Sequence, residues 1–159
     1  MRTQKENDME RITIARTILG ITPSIDSYCN VVKRKNYYRA INSFNSSEDT
    51  YSVMEKIIEK AYQAQQLHNI QVKVYRYLNT LPIKLGRIVE FYFLKNKDPF
   101  KIMAELNVSR RTVFRAIEQE IQCFADNLDK LGINPLIFRQ LLQQHRWIRT
   151  EYQRQKKVS

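Results

Sequence analysis

A stretch of almost thirty residues, from Thr50 to Leu78, contains neither glycine nor proline. Its apolar residues recur every three or four positions, which is the spacing of one face of an α-helix. The stripe consists of Val53, Ile57, Ala64, Leu67, Val74 and Leu78. The pattern predicts one long helix, or two helices separated near His68-Asn69. Because the whole chain has only 3 Gly and 4 Pro, we expect an all-α fold, a helical bundle that contains this long helix.

The stripe of the 50–78 helix has two structural interpretations, which stay open at this point. It can pack against another helix of the same chain, or it can pair with a second copy and form a homo-oligomer. Lys60 and Gln71 interrupt the stripe, and polar interruptions of such a seam can fix its register.

The domain organisation follows from composition and from helix signals. Residues 45–49, "NSSED", form a Ser/Asn-rich break that marks a linker. In the segment before it, Asp8 is a candidate N-cap and Gly20 a candidate end of the first helix. The division we expect is an N-terminal helical extension (1–49), a long packing or oligomerisation helix (50–79), a further helical unit (80–130), and a basic C-terminal helix and tail (131–159).

Charge indicates the class of partner. The chain has 27 Lys and Arg against 16 Asp and Glu, a formal net charge of +11. Such an excess favours a polyanionic partner, most often nucleic acid. No apolar run approaches the roughly 18 residues of a membrane span, and the N-terminus is polar rather than signal-like. We therefore expect a cytoplasmic protein that binds a polyanionic partner, most often nucleic acid, and no membrane.

Enzyme signatures are weak in this sequence. There is no phosphate-binding loop of the G-x-x-x-x-G-K-[ST] type. His68 and His145 have no Cys or His at metal-ligand spacing. Cys29 and Cys123 fit neither a zinc site nor a disulfide framework. We expect neither catalysis nor a cofactor nor a metal.

The stretch "DPFKIMAELNVSRRTVFRAIEQE", residues 98–120, predicts two helices joined by a short turn. Asp98 and Ser109 are candidate N-caps, and Pro99 suits a first helical position. Asn107 is suited to a left-handed backbone at the end of the first helix. The expected inward residues are Phe100, Ile102, Met103 and Leu106 on the first helix, and Val113, Ala116, Ile117, Ile121 and Phe124 on the second. Two helices joined in this way predict a helix-turn-helix.

The second helix then carries the candidate DNA-contacting residues. The N-terminal turns of a recognition helix enter the major groove, where arginine can bind guanine and threonine or phenylalanine can touch a thymine methyl. The expected base contacts are Arg110, Arg111, Thr112, Phe114, Arg115 and Gln119. The expected phosphate contacts are Lys95, Lys97, Lys101 and Ser109, with Arg146 and Arg149 on the basic C-terminal helix, where Leu136 is expected to face inward.

Residues 81–124 resemble region 4 of the sigma-70 family of RNA polymerase factors. Positions that match that pattern are Leu81-Pro82, Ile88-Val89, Ile102, Leu106, Val108-Ser109 and Val113. Asn107 stands in place of the turn glycine, and Met103 in place of a small residue at the helix crossing. The resemblance implies an all-α DNA-binding unit that binds promoter DNA and engages RNA polymerase.

The order and size of the segments are also similar to small phage-encoded sigma-like and late-transcription regulators of Gram-positive hosts. These resemblances predict a sequence-specific transcription regulator. Two alternatives remain open. One is a DNA-packaging protein similar to a phage small terminase subunit, which joins a helix-turn-helix to oligomerising helices. The other is a protein-binding module that docks RNA polymerase through an apolar edge at Phe91, Tyr92 and Phe93.

Overall fold

The computed structural model describes residues 3–45 and 47–158, and every regular element in those ranges is helical. This confirms the all-α prediction. The α-helices are α1 (Gln4–Ile21), α2 (Ile25–Asn42), α3 (Thr50–Asn79), α4 (Ile83–Val89), α5 (Pro99–Leu106), α6 (Arg110–Asp126), α7 (Pro135–Gln144) and α8 (Arg146–Val158). Short 3₁₀ turns occupy Thr22–Ser24 and Ser43–Asn45, and a π-helical turn, Glu90–Leu94, continues α4. Among these helices, none combines the length and the apolarity that crossing a bilayer requires.

The chain forms two compact units. The first, here called the larger unit, combines the segment that ends at Pro23 with the segment that begins at Lys73; the second, the hairpin unit, is Ser24–Val72. The divisions expected after residues 49, 79 and 130 do not follow these units. The physical reason is that α1 packs against α6 and α8, far along the chain.

The hairpin unit consists of α2 and most of α3. The Cys29 thiol lies 3.5 Å from the carbonyl oxygen of Ala64, and the Asn36 amide donates a hydrogen bond of 3.1 Å to the carbonyl of Ile57. Because a step of seven residues forward on α2 matches a step of seven backward on α3, the two helices run antiparallel. Helix α3 is continuous over 30 residues, so the alternative of a break near His68-Asn69 was wrong.

Helix α1 differs from its prediction at both ends. Thr3 rather than Asp8 caps it, through a capping box in which the Thr3 hydroxyl accepts from the Glu6 amide and the Glu6 carboxylate accepts from the Thr3 amide. Gly20 lies inside the helix instead of ending it. A Cβ at Gly20 would lie 3.1 Å from Oε1 of Glu151 on α8. Glycine at this position therefore permits the close approach of α8 to α1.

The core of the larger unit is mainly apolar, and it includes a polar contact between Tyr77 and Glu120. Its fully buried side chains include Ile18, Leu19, Ile102, Phe124, Leu128, Ile133, Leu141 and Ile148, and each contributes roughly 1.5–3 kcal/mol relative to exposure. The Tyr77 hydroxyl donates a hydrogen bond of 3.2 Å to Oε2 of Glu120, whose side chain is buried. The ring of Tyr77 meets Phe124 edge to face at 5.2 Å between centroids. This link fixes the end of α3 against α6.

The 98–120 segment has the local structure that the sequence predicts. Asp98 accepts a hydrogen bond of 2.8 Å from the Phe100 amide, with Pro99 in the first turn of α5. Asn107 adopts the left-handed conformation, φ 51° and ψ 50°, and Ser109 accepts from the Thr112 amide at the start of α6. These caps and the left-handed residue are confirmed, and they determine where α6 begins.

Two side chains expected to face inward are exposed. Phe100 is 62% exposed and Leu136 is 64% exposed. Both lie in the first turn of their helices, on the side away from the buried Ile102 and Phe138. The C-terminal helix, expected as one element, is interrupted at His145, whose φ and ψ of −128° and 102° are extended. Residues 135–144 and 146–158 therefore form two helices.

Candidate nucleic-acid interface

Helix α6 has a buried face and a charged face. Val113 is fully buried, and Ala116, Ile117, Ile121 and Phe124 are each less than one-tenth exposed. The opposite face holds the candidate contacts predicted from the sequence. The side chains exposed on it are Arg110, Arg111, Thr112, Phe114, Arg115 and Gln119. The structure therefore brings all six predicted base-contacting residues to the outward side of one helix.

Local hydrogen bonds fix the hydroxyl groups at the start of α6. The Ser109 Oγ accepts from the Thr112 amide at 3.2 Å and lies 2.8 Å from the Thr112 Oγ1. One of the two hydroxyls donates a hydrogen bond to the other. Each keeps a remaining lone pair or proton for an outside partner, so Ser109 and Thr112 can add to a contact but do not dominate it.

The first turn of α6 carries two arginines, Arg110 and Arg111, and no acidic residue. The N-terminus of a helix bears the positive end of the helix dipole, where cationic side chains are unfavourable by about 0.3–1 kcal/mol each. Dipole compensation therefore does not explain these arginines. An anion bound at this end would relieve both the dipole and the mutual repulsion of the guanidinium groups.

Arg110 lies between two exposed aromatic rings. Its guanidinium carbon is 5.6 Å from the centre of the Phe100 ring on α5 and 5.4 Å from that of Phe114 on α6. Phe114 is 39% exposed. Sequence reasoning missed Phe100 as part of this surface because it assigned the residue to the core. The three side chains together, here called the Arg110 platform, hold one guanidinium group on the outward side of the α5–α6 turn.

Arg111 and Arg115 are not tied into salt bridges. Within residues 3–45 and 47–158, no carboxylate lies at ion-pair distance from either guanidinium group. Their charges are consequently uncompensated by the protein itself. The same observation holds for Arg110, whose partners are the two rings.

The three lysines predicted to bind phosphate differ from one another. Both oxygens of Glu105 lie 2.7 Å from the ammonium of Lys97, which also sits 4.1 Å from the Phe91 ring centre. The ammonium of Lys95 lies 3.1 Å from Glu90. Lys101 is exposed, and no ion pair involves it in the described part of the chain. Of the three, Lys101 alone combines exposure with an uncompensated charge.

Helix α8 carries a further basic surface. Arg146 and Arg149, both predicted phosphate contacts, are exposed and line a surface depression of about 500 Å³ together with Arg154 and Lys157. Arg154 forms two hydrogen bonds to Glu151, at 2.9 and 2.7 Å, and these bonds hold the pKa of that carboxyl below its usual range. The predicted pair and Lys157 remain available to an anion.

A second group of cations was not predicted. Lys73, Arg76 and Lys130 line a depression of about 320 Å³ with Tyr77 and Asn127. No sequence signal joins residues 73 and 76 to residue 130, because only the packing of the end of α3 against the segment that follows α6 brings them together. Arg76 lies in the last turn of α3, where a cation also stabilises the helix dipole.

The apolar edge expected at residues 91–93 is only partly exposed. Phe93 is 9% exposed and its ring meets Tyr92 at 4.8 Å. Phe91 is covered by the ammonium groups of Lys95 and Lys97. These residues serve the packing of the π-helical turn and leave little apolar surface for a partner.

No three His, Cys, Asp or Glu side chains in the ranges that the structure describes are grouped so as to hold a metal ion. Comparison of the chain with protein-family models, with curated proteins and with solved structures finds no match.

Proposed function

We propose that this protein is a sequence-specific DNA-binding transcription regulator. In this proposal α5 and α6 act as a helix-turn-helix, and the first turns of α6 enter the major groove. The observation that carries the proposal is the outward face of α6, where arginines without ion pairs stand at the positive end of the helix. A net charge of +11 supplies the general attraction to phosphates.

In this proposal the positions of the side chains decide which of them contact bases and which contact phosphates. Arg111 and Arg115 contact base edges, since arginine binds the O6 and N7 atoms of guanine with two hydrogen bonds. Arg110, held by Phe100 and Phe114, stands beside them, and Gln119 lies further along the same face. Lys101 and the two α8 arginines, Arg146 and Arg149, bind phosphates, which sets orientation rather than sequence preference.

Engagement of RNA polymerase is the second part of the proposal, and it rests on the resemblance of residues 81–124 to sigma region 4. The buried Phe93 does not supply the contact, so the exposed surface of α4 and α5 is the part to test. Retention of purified RNA polymerase by the immobilised protein, without promoter DNA, supports this part. Absence of retention limits the function to DNA binding.

The deciding experiment is selection of bound sequences from a random double-stranded DNA pool at two salt concentrations. We expect a sequence motif to be enriched at both, with affinity falling as salt rises, because each phosphate contact releases counterions. A pool that stays random after selection contradicts the proposal.

Two matched variants separate base contacts from general charge. Arg111→Ala should weaken binding to the selected site by roughly 1–3 kcal/mol and relax preference at one position of the motif. Arg139→Ala removes an equally charged, exposed residue from α7 and should have a small effect on every sequence. Equal losses on all sequences for both variants would reduce Arg111 to a phosphate contact.

A further inference from the structure

The hairpin unit exposes an unusual amount of apolar side chain. Between residues 24 and 72 the large apolar side chains with high exposure are Tyr37, Tyr38, Ile41, Phe44, Tyr51, Met54, Ile58 and Tyr62, which range from 48% to 92%. Soluble monomers rarely expose a contiguous apolar patch of more than a few hundred Å². Such a surface normally marks an interaction site.

These side chains form one stripe on each helix. On α3 the residues Tyr51, Met54, Ile58 and Tyr62 are spaced by three, four and four positions, which places them on a single helical face. This face is not the predicted seam, since Val53, Ala64 and Leu67 of that seam are buried. On α2 the exposed stripe is Tyr37 and Ile41, and the exposed Phe44 follows in the 3₁₀ turn after the helix.

The two stripes face the same side of the hairpin. The inward line of each helix is marked by the contacts of Cys29 and Asn36 with Ala64 and Ile57. With 3.6 residues per turn, the exposed residues of each helix are displaced from this line by roughly 70–150° in the sense of increasing residue number. The two helices run antiparallel. A displacement toward increasing residue number on each helix therefore turns both stripes toward the same side of the hairpin. Both stripes also lie in the half of the hairpin that contains the end of α2 and the start of α3.

The area of this face matches that of a stable interface. A whole aromatic side chain covers about 150–250 Å², so the exposed parts of these side chains offer on the order of 1,000 Å². A standard protein–protein interface buries about 800 Å² on each partner. A face of this size is therefore large enough for an interface with a second copy of the hairpin unit.

Charge on the two helices is self-complementary. Residues 33–45 contain Lys33, Arg34, Lys35 and Arg39 and no carboxylate, whereas residues 48–59 contain four carboxylates and one lysine. When two hairpins pack face to face about a two-fold axis along their length, α2 of each lies against α3 of the other. The basic segment of one copy then meets the acidic segment of the second.

We propose that this face, the Tyr37–Tyr62 face, is a two-fold interface with a second copy of the same chain. The interface stands independently of the proposed function. Its consequence for DNA rests on that function: two copies of α6 would bind a palindromic site, with half-sites about 34–36 Å or a multiple of this distance apart.

The test is the molar mass of the full chain by light scattering after size exclusion, over a wide range of protein concentration without DNA. We expect the mass of two chains. Ile58→Lys places a charge in the centre of the face and should raise the dissociation constant by at least about tenfold. Ile83→Lys is the matched control, because Ile83 in the larger unit is 78% exposed, against 64% for Ile58. Circular dichroism verifies that both variants remain helical.

A single-chain mass for the unaltered protein at the highest concentration overturns the proposal. So does a ring of many chains, which would favour the DNA-packaging interpretation, and so does equal weakening by Ile83→Lys. Binding to an isolated half-site separates this proposal from the proposed function. If the chain is monomeric yet binds a selected half-site, only the interface fails; if it is dimeric and selects no sequence, only the DNA function fails.

Discussion

The guanidinium carbon of Arg110 lies 5.4 Å from the centre of the Phe114 ring, four residues further along α6, and 5.6 Å from that of Phe100 on α5. A cation over an exposed aromatic ring is stabilised by about 0.5–1 kcal/mol. The two rings thereby restrict the rotamers of Arg110 before any partner arrives. Binding of an anion then requires less ordering of this side chain.

Removal of the α5 ring should therefore weaken DNA binding without damaging the fold. Phe100→Ala is expected to lower affinity for the selected site roughly two- to fivefold, because Arg110 loses one of its two rings. Fluorescence anisotropy with labelled DNA measures the change. Leu136→Ala is the control, since Leu136 is 64% exposed against 62% for Phe100. If both variants bind as well as the unaltered protein, the Arg110 platform has no role in binding.

Charge reversal at Arg111 should separate stability from function. Arg111→Glu places an acid in the first turn of α6, where the unaltered helix has none. We expect the free energy of unfolding to rise by about 0.5–2 kcal/mol, because the carboxylate interacts favourably with the helix dipole. Affinity for DNA should fall strongly, since the new charge repels phosphates.

The control is Arg139→Glu, an exposed residue on α7 outside the first turn. It should bring little gain in stability and a smaller loss of DNA affinity. Urea unfolding measures the stability of each variant, and fluorescence anisotropy measures its DNA affinity. If Arg111→Glu lowers the free energy of unfolding, Arg111 stabilises the fold, and its position does not indicate an anion-binding role.

Features set by neighbouring residues could be predicted from the sequence. The caps at Asp98 and Ser109 and the left-handed Asn107 were all expected and are all observed. A cap depends on the side chain and the next three amides, so distant contacts affect it little. Helix α1 is the exception among these predictions, because Thr3 caps it instead of the expected Asp8. The exposed face of α6 followed for the same reason, from its strong 3.6-residue periodicity.

Features set by distant contacts could not be predicted. Lys97 is neutralised by Glu105, eight residues later, and only the direction of α5 brings them together. Helix α3 has two apolar stripes, and the sequence does not tell which of them packs against another helix of the same chain. Gly20 inside α1 is explained only by Glu151 of α8, a contact between the two ends of the chain.

The buried carboxyl group of Glu120 should make stability depend on pH. Burial raises the pKa of Glu120 above its usual range, and the hydrogen bond from Tyr77 opposes this only in part. The folded-state pKa therefore exceeds the unfolded value of about 4.3. The contribution of this group to stability is fully present below that value and is lost as the pH rises through the folded-state pKa.

Glu120→Gln keeps a side-chain oxygen for the Tyr77 hydroxyl and removes the buried charge. We expect its free energy of unfolding to equal or exceed that of the unaltered protein near neutral pH, with the advantage shrinking as the pH falls toward 4. Urea unfolding at several pH values measures the difference. An advantage that grows toward acid pH would contradict the assignment.

The left-handed conformation of Asn107 gives the last prediction. A non-glycine residue with positive φ is unfavourable, and asparagine tolerates it better than alanine. Asn107→Ala should lower the free energy of unfolding by about 1 kcal/mol, whereas Asn107→Gly should change it by only a few tenths. Asn96 is a matched control, because its φ of 47° is close to the 51° of Asn107 and it lies outside the α5–α6 turn.

Asn96→Ala should therefore destabilise the protein to a similar degree. DNA affinity discriminates between the two positions. At temperatures at which both variants are folded, Asn107→Ala should weaken DNA binding, because the turn sets the angle between α5 and α6. Asn96→Ala should leave DNA binding nearly unchanged under the same conditions. Equal effects of the two variants on affinity would mean that stability alone governs binding, and the α5–α6 turn would lose its assigned role in presenting Arg111 and Arg115.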